Sequence, residues 1–284
     1  MPEGDTIFRA ARTLHRALAG KMIVSFASAL PKLERVEVDA CVTGRTLERI
    51  AANGKWILMD FSGDLILLTH MLMSGSWHIY RPGEKWKKHP AHMRIHIATN
   101  DMEAVAFNVQ IAEFHTQESL LRRRNYAQLG PSVLAETFDE AEALRRLQSD
   151  PMMEIGTALL TQSKLAGIGN VFKSEICFAC GVHPFRRVGE LSILELAALV
   201  STAKKFLLQN VAEDTPDHIV TYAGMRRTTG RMDRQENLWV YQRRGEPCRR
   251  CGHSIESRKQ GLDARSTFWC PQCQPLERSL RQPV

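Results

Sequence analysis

Nowhere in these 284 residues is there an apolar run approaching the ~20 residues that a membrane-crossing helix needs. The N-terminus lacks a basic start followed by an apolar stretch. It carries Glu3, Asp5 and Arg9 instead, which argues against a signal peptide. There is no internal repeat and no low-complexity segment. These absences predict a cytoplasmic protein with no membrane partner. In that compartment seven cysteines point to metal or plain packing rather than disulfides. With 44% of its residues hydrophobic, the chain is long enough for two domains with proper cores.

The first 225 residues also lack net charge. From Arg226 to Val284 thirteen Lys/Arg face six Asp/Glu, which accounts for the whole formal charge of +7. A basic excess confined to the last fifth of a chain suggests a polyanion partner, most naturally nucleic acid.

Residues 5–19 place Ile7, Ala11, Leu14 and Leu18 on one helical face, with Asp5 or Thr6 as a candidate N-cap and Gly20 just past the end. The period then changes to two. "KWILMDF" and "LILLTHMLM" around Ser62-Gly63-Asp64 predict a hairpin, and "MRIHIAT" and "EAVAFNV" around Asn100-Asp101 predict another. "HMRIH" puts His92, Arg94 and His96 on one strand face, as polar surface or minor phosphate contacts with no assigned role. Helical periodicity returns in "FDEAEALRRLQ", "IGTALLTQSKLAGIGNVFKSEICFACG" and "SILELAALVSTAKKFLLQN". "TYAGMRRTTGRMDRQ" follows as a polar linker, and a Cys-rich end closes the chain.

Cys248-x2-Cys251 and Cys270-x2-Cys273, 18 residues apart, direct four thiolates at one point. That is the tetrahedral donor set of structural zinc, with no position left for catalysis. Between the pairs, two strands and a turn carry Arg258, Lys259 and Arg265, a scaffold that can hold guanidinium groups against phosphates. Cys177 and Cys180 share the spacing but lie in a helical pattern, where packing is the better reading, as it is for Cys41. In the turn Ala166-Gly167-Ile168-Gly169-Asn170, glycines permit close backbone approach and the next helix start favours an anion. Such a turn more often only reverses the chain. Beside a basic hairpin, phosphate binding is the better reading.

The sequence starts Met-Pro-Glu, a common beginning. Removal of Met1 would leave Pro2 as a free secondary amine, and an α-amino group titrates near ~7.7–8.0 against about 10.4 for lysine. The neutral amine can attack an electrophilic sugar carbon, and the iminium so formed promotes elimination; Glu3 could move the protons.

In this order, "MPEGDTIFRAARTLHRALAGK", "GKWILMDF", "HMLMSGSWHIY", "LGPSVL", "QSKLAGIGNVFKSEICFACGVHP" and "CRRCG…ARSTFWCPQCQ" resemble the formamidopyrimidine-DNA glycosylase / endonuclease VIII family over nearly the whole chain. The resemblance implies an α+β protein. Residues 1–125 would form a catalytic β-sandwich with flanking helices, 126–235 a helical domain with a helix–two-turn–helix, and 236–284 a zinc finger, with DNA in the cleft between domains. It implies a monomeric base-excision repair enzyme acting on double-stranded DNA with damaged bases or abasic sites. By position, Pro2 matches the nucleophile, Glu3 the catalytic acid/base, and Lys55 a catalytic-site lysine on phosphate. Asn170 and Arg265 match phosphate-gripping residues, with Gly167 and Arg258 beside them. Met73, with Leu72 beside it, matches the wedge that fills the gap left by a flipped base. One structural Zn2+ is the implied cofactor. "PEGDT" is closer to the endonuclease VIII branch than to "PELPE". The "RRFG" segment of the other branch is missing, its region running "AFNVQIAEFHTQ". Oxidised pyrimidines are therefore the expected lesions. The alternatives are an oxidised-purine glycosylase of the same family and a damaged-DNA-binding protein without activity.

Overall fold

The computed structural model describes residues 2–212 and 238–276. The predicted linker "TYAGMRRTTGRMDRQ" and the last eight residues lie outside the described residues. The chain divides into two compact units, Met1–Leu129 and Gly130–Val284.

In the first unit, α1 (Gly4–Leu18) leads into two antiparallel sheets. The five-stranded sheet runs β1 (Lys21–Met22), β3 (Thr46–Asn53), β4 (Trp56–Phe61), β5 (Leu65–His70), β9 (Ile111–His115). The four-stranded sheet runs β2 (Ser25–Ser28), β7 (Met93–Ala98), β8 (Glu103–Phe107), β6 (Ser76–Tyr80). Helix α2 (Pro31–Ala40) follows β2. Leu47, Ile57, Met59 and Leu67 of the first sheet and Ile95, Ile97, Ala104 and Ala106 of the second share one buried core, and this makes the sandwich. The outer face of β4 and β5, with Trp56, Ile66 and Leu68, is covered by Leu120 and Tyr126 of α3 (Gln117–Arg122) and α4 (Arg124–Ala127). Burial on both faces explains why β5 reads as a continuous apolar run.

Both predicted hairpins form. The β4–β5 turn needs left-handed backbone at Gly63 (φ 77°) and Asp64 (φ 54°), which glycine and aspartate tolerate. Helix α1 buries Ile7, Ala11, Leu14 and Leu18 as its periodicity predicts. Each of the three larger side chains contributes about 1.5–3 kcal/mol. Its cap differs: the helix begins at Gly4, so Glu3 takes the N-cap position and Asp5 falls inside the first turn. His92 does not join the strand either. It closes a short 3-10 turn over Pro90–His92, and β7 starts at Met93.

The second unit holds α5 (Glu140–Gln148), α6 (Ile155–Leu160), α7 (Asn170–Ala179) and α8 (Ile193–Val211), then the hairpin of β10 (Glu256–Gln260) and β11 (Arg265–Trp269). Asp139 and Ser192 cap α5 and α8 through their side chains. The α6–α7 connection is longer than the five residues predicted, because α6 stops at Leu160. Gln162 takes over the backbone groups there: its amide donates to the carbonyls of Leu160 (2.8 Å) and Ile168 (3.0 Å) and accepts the N–H of Gly167 (3.0 Å). The helical core is built on Leu159, Ile168, Phe172, Ile176 and Leu199.

Candidate active site and nucleic-acid interface

In the first unit Pro2 stands half-buried just before α1, and Met1 lies outside the described residues. Glu3 has no exposed surface. Its carbonyl accepts the N–H of Ile7 at 3.0 Å, the first bond of the helix, and its carboxylate does not cap the helix. Asp5 is also fully buried, with one carboxylate oxygen lacking a hydrogen bond and Arg9 at 3.9 Å. Burial pushes its carboxyl above the usual range.

The β3–β4 turn carries Gly54 (φ 58°) and Lys55. His70, at the end of β5, is pushed down to about 4 by burial first, then by the charges of Lys55 and Arg123. Its ring is therefore neutral at pH 7, and Nδ1 accepts the N–H of Leu72 at 3.0 Å. That bond holds a tight turn. Leu72 is left-handed (φ 50°), the N–H of Gly75 donates to the carbonyl of Met71 at 2.8 Å, and Met73 is 65% exposed at the tip. Trp56 meets the His70 ring edge-on at 4.7 Å, and Arg123 lies 4.4 Å over Trp56 while donating to Glu113 at 2.6 Å. Lys55, Leu72 and Met73 were singled out in the sequence. His70 and Arg123 were not, because a lone histidine at a strand end carries no sequence signal.

In the second unit Asn170 and Arg265 line one open pocket of 340 Å³, with Lys259, Asp263, Ser266, Tyr241 and Gln242. Asn170 opens α7 and is 93% buried; its amide donates to the Ser266 carbonyl at 2.8 Å, and its oxygen has no hydrogen-bond partner. Gly167 (φ 106°) needs glycine for its backbone, and its N–H is held by Gln162, so it shapes the turn. Arg258 does not line the pocket. Neighbouring residues on a strand face opposite ways, and its guanidinium stacks 3.9 Å over Phe185 while Lys259 reaches the pocket.

A buried polar stripe on α7 ties down the hairpin and the 239–241 segment before it. The Lys173 ammonium donates to Thr267 Oγ1 at 2.5 Å, the Phe268 N–H donates to Ser174 Oγ, and Glu175 accepts the N–H groups of Trp239, Val240 and Tyr241 at 2.8–2.9 Å. The four thiol sulfurs of Cys248, Cys251, Cys270 and Cys273 lie within 4.8 Å of one another. A tetrahedron with ~2.3 Å metal–sulfur bonds has edges of about 3.8 Å, so these residues fit one structural zinc. Cys177 is fully buried and its thiol is pushed up to about 12, while Cys180 bonds Thr202; both are packing residues.

The formamidopyrimidine-DNA glycosylase N-terminal domain matches residues 1–110, its H2TH domain 129–219, and the zinc finger found in FPG and IleRS 245–276. A probable endonuclease 8 2 of Streptomyces coelicolor is 41% identical over 96% of this chain and 94% of its own length. This chain belongs to the formamidopyrimidine-DNA glycosylase / endonuclease VIII family. Another member, the DNA-(apurinic or apyrimidinic site) lyase Nei2 of Mycolicibacterium smegmatis, is 33% identical over 96% of this chain and 99% of its own. The fold matches Lactococcus lactis Fpg, solved with DNA containing N7-benzyl-Fapy-dG, at a TM-score of 0.79 and 24% identity, over 96% of this chain and all of that one. Among the described residues no helix is long and apolar enough to cross a membrane.

Proposed function

We propose that this protein is a base-excision repair DNA glycosylase with abasic-site lyase activity, acting on oxidised pyrimidines through the nitrogen of Pro2. The observation that carries this reading is Glu3, a carboxylate with no exposed surface, held at the foot of an anchored helix directly behind Pro2. Names among its relatives, endonuclease 8 and abasic-site lyase, support the class of reaction.

The lesion nucleotide must leave the stack to be reached. Met73, exposed on a turn that His70 and Gly75 stiffen, fills the gap with Leu72. With Met1 removed, the neutral Pro2 nitrogen attacks C1′. The N–C1′ bond forms as the C1′–base bond breaks, and the base leaves with a proton. The C1′–O4′ bond then breaks as O4′ takes a proton, opening the sugar ring and leaving an iminium at C1′ that acidifies C2′–H; loss of that proton expels the 3′ phosphate, and loss of a C4′ proton then expels the 5′ phosphate. Glu3 carries the protons between steps. Lys55 holds a phosphate near the lesion, while Asn170 and Arg265 grip the backbone from the second unit. Cys248, Cys251, Cys270 and Cys273 would hold the zinc that fixes the hairpin carrying Arg265.

The preference for pyrimidines draws on the β8–β9 connection. It is only residues 108–110, with Val109 fully buried, which supports void filling by the 72–74 turn alone. Duplexes with thymine glycol and with 8-oxoguanine test this reading. The expected result is faster turnover of thymine glycol, leaving a gap with phosphate at both ends. Faster turnover of 8-oxoguanine contradicts the preference, and binding without incision of either contradicts the enzyme.

A further inference from the structure

Gln242 lines the pocket of Asn170 and Arg265 in a backbone conformation that disfavours any side chain, at φ 61°. Glycine would sit there without strain. The conformation is imposed from both sides. Upstream, Glu175 holds the N–H groups of Trp239, Val240 and Tyr241. Downstream, the Arg243 N–H donates to the Val240 carbonyl at 3.1 Å, and the Arg243 guanidinium donates to Trp239 O and Pro247 O. The segment is thus fixed, and Gln242 is aimed by it. The side chain is exposed, and its amide has no hydrogen-bond partner among the described residues. Strain kept at a well-determined position beside a polar pocket is the pattern of a binding residue.

Lys259 is the second group that the DNA reading has not used. Its ammonium reaches Ser266 Oγ at 3.1 Å within the same pocket. Asp263 lies 4.0 Å from Arg265 Nε but is 79% exposed, free to swing aside when an anion enters. A pocket of 340 Å³ with two cationic side chains and two amides has room for more than one oxygen-bearing group.

We propose that Gln242 and Lys259 form a second phosphate contact, next to the one made by Asn170 and Arg265 on the same DNA strand. The Gln242 amide donates a hydrogen bond to a phosphate oxygen, and Lys259 supplies the charge. The proposal rests on the DNA reading of this pocket given above.

The test uses the zinc-loaded full chain and a duplex bearing a non-cleavable tetrahydrofuran abasic analogue, with affinity measured across a salt series. Gln242→Gly is expected to melt at or above the wild-type temperature, because it relieves the backbone, yet to bind roughly 3- to 10-fold more weakly, the worth of one hydrogen bond. Its salt slope should stay at the wild-type value, since a neutral amide releases no counterion. Lys259→Ala should lower that slope by about 0.9. Gln242→Glu, nearly isosteric, should bind more weakly than Gln242→Gly. Wild-type affinity in Gln242→Gly or Gln242→Glu overturns the proposal. If Asn170→Ala and Arg265→Ala both bind normally, the DNA reading of the pocket fails and takes the proposal with it.

Discussion

The Nδ1 atom of His70 accepts the amide N–H of Leu72 at 3.0 Å, so one neutral ring fixes the turn that presents Met73. Protonation would turn that acceptor into a donor and break the bond. The folded value near 4 lies below the ordinary 6.5, so below pH 6.5 the unfolded chain takes up the proton first. This contribution to stability is present above about 6.5 and is lost as pH falls toward 4. Thermal melts across that range should decline less steeply for His70→Asn than for wild type. Parallel declines would remove His70 from the account.

Gly75 permits the same turn by having no side chain. A Cβ there would lie 2.5 Å from the Met71 carbonyl oxygen, a backbone atom that cannot step aside cheaply. Gly75→Ala is expected to lower excision from duplex DNA by tenfold or more in order of magnitude, the effect of misplacing a positioning group by about 1 Å. Cleavage of an abasic site in single-stranded DNA, which needs no wedge, should be nearly spared. Equal losses on both substrates would contradict the wedge role of the turn.

Thr267 accepts from the buried Lys173 ammonium and donates to Gln260 Oε1 at 2.8 Å, while Gln260 donates to Glu154 and to the Pro184 carbonyl. Thr267→Val keeps the shape and removes both bonds. Leaving such groups unmet costs about 1–3 kcal/mol, more where one is charged. Denaturant unfolding should show a loss of at least ~2 kcal/mol, and a change below ~0.5 kcal/mol would show that the stripe is not structural.

Zinc content gives a further check. One equivalent should be found per chain, and Cys270→Ser should lose it. The hairpin cluster of Phe178, Val240, Ile255 and Phe268 would then loosen, exposing Trp239 and Trp269. A red-shifted tryptophan emission with DNA affinity reduced toward that of Arg265→Ala is the expected readout. Full affinity without zinc would contradict the role of the hairpin.

Much of this was legible because it rests on short-range pattern. The apolar face of α1, the β4–β5 hairpin and the four hairpin cysteines declare themselves through spacing alone. Other features depend on partners far along the chain. Lys173, Ser174 and Glu175 are consecutive polar residues of a helix, and their burial depends on partners 64–94 positions away. Arg258 and Lys259 are adjacent and alike in charge, and only the strand register decides which one faces the pocket. His70 acquires its place from Lys55, Trp56 and Arg123, which converge on it from other elements.

The central claim is that the Pro2 nitrogen, with Glu3 behind it, forms the covalent bond to the sugar. It is tested most directly by borohydride reduction of the protein on an abasic duplex, followed by digestion and mass mapping of the adduct. The account predicts a chain starting at Pro2, with the reduced sugar on its N-terminal peptide. An adduct on a lysine, or none from a preparation that binds the duplex, would contradict it.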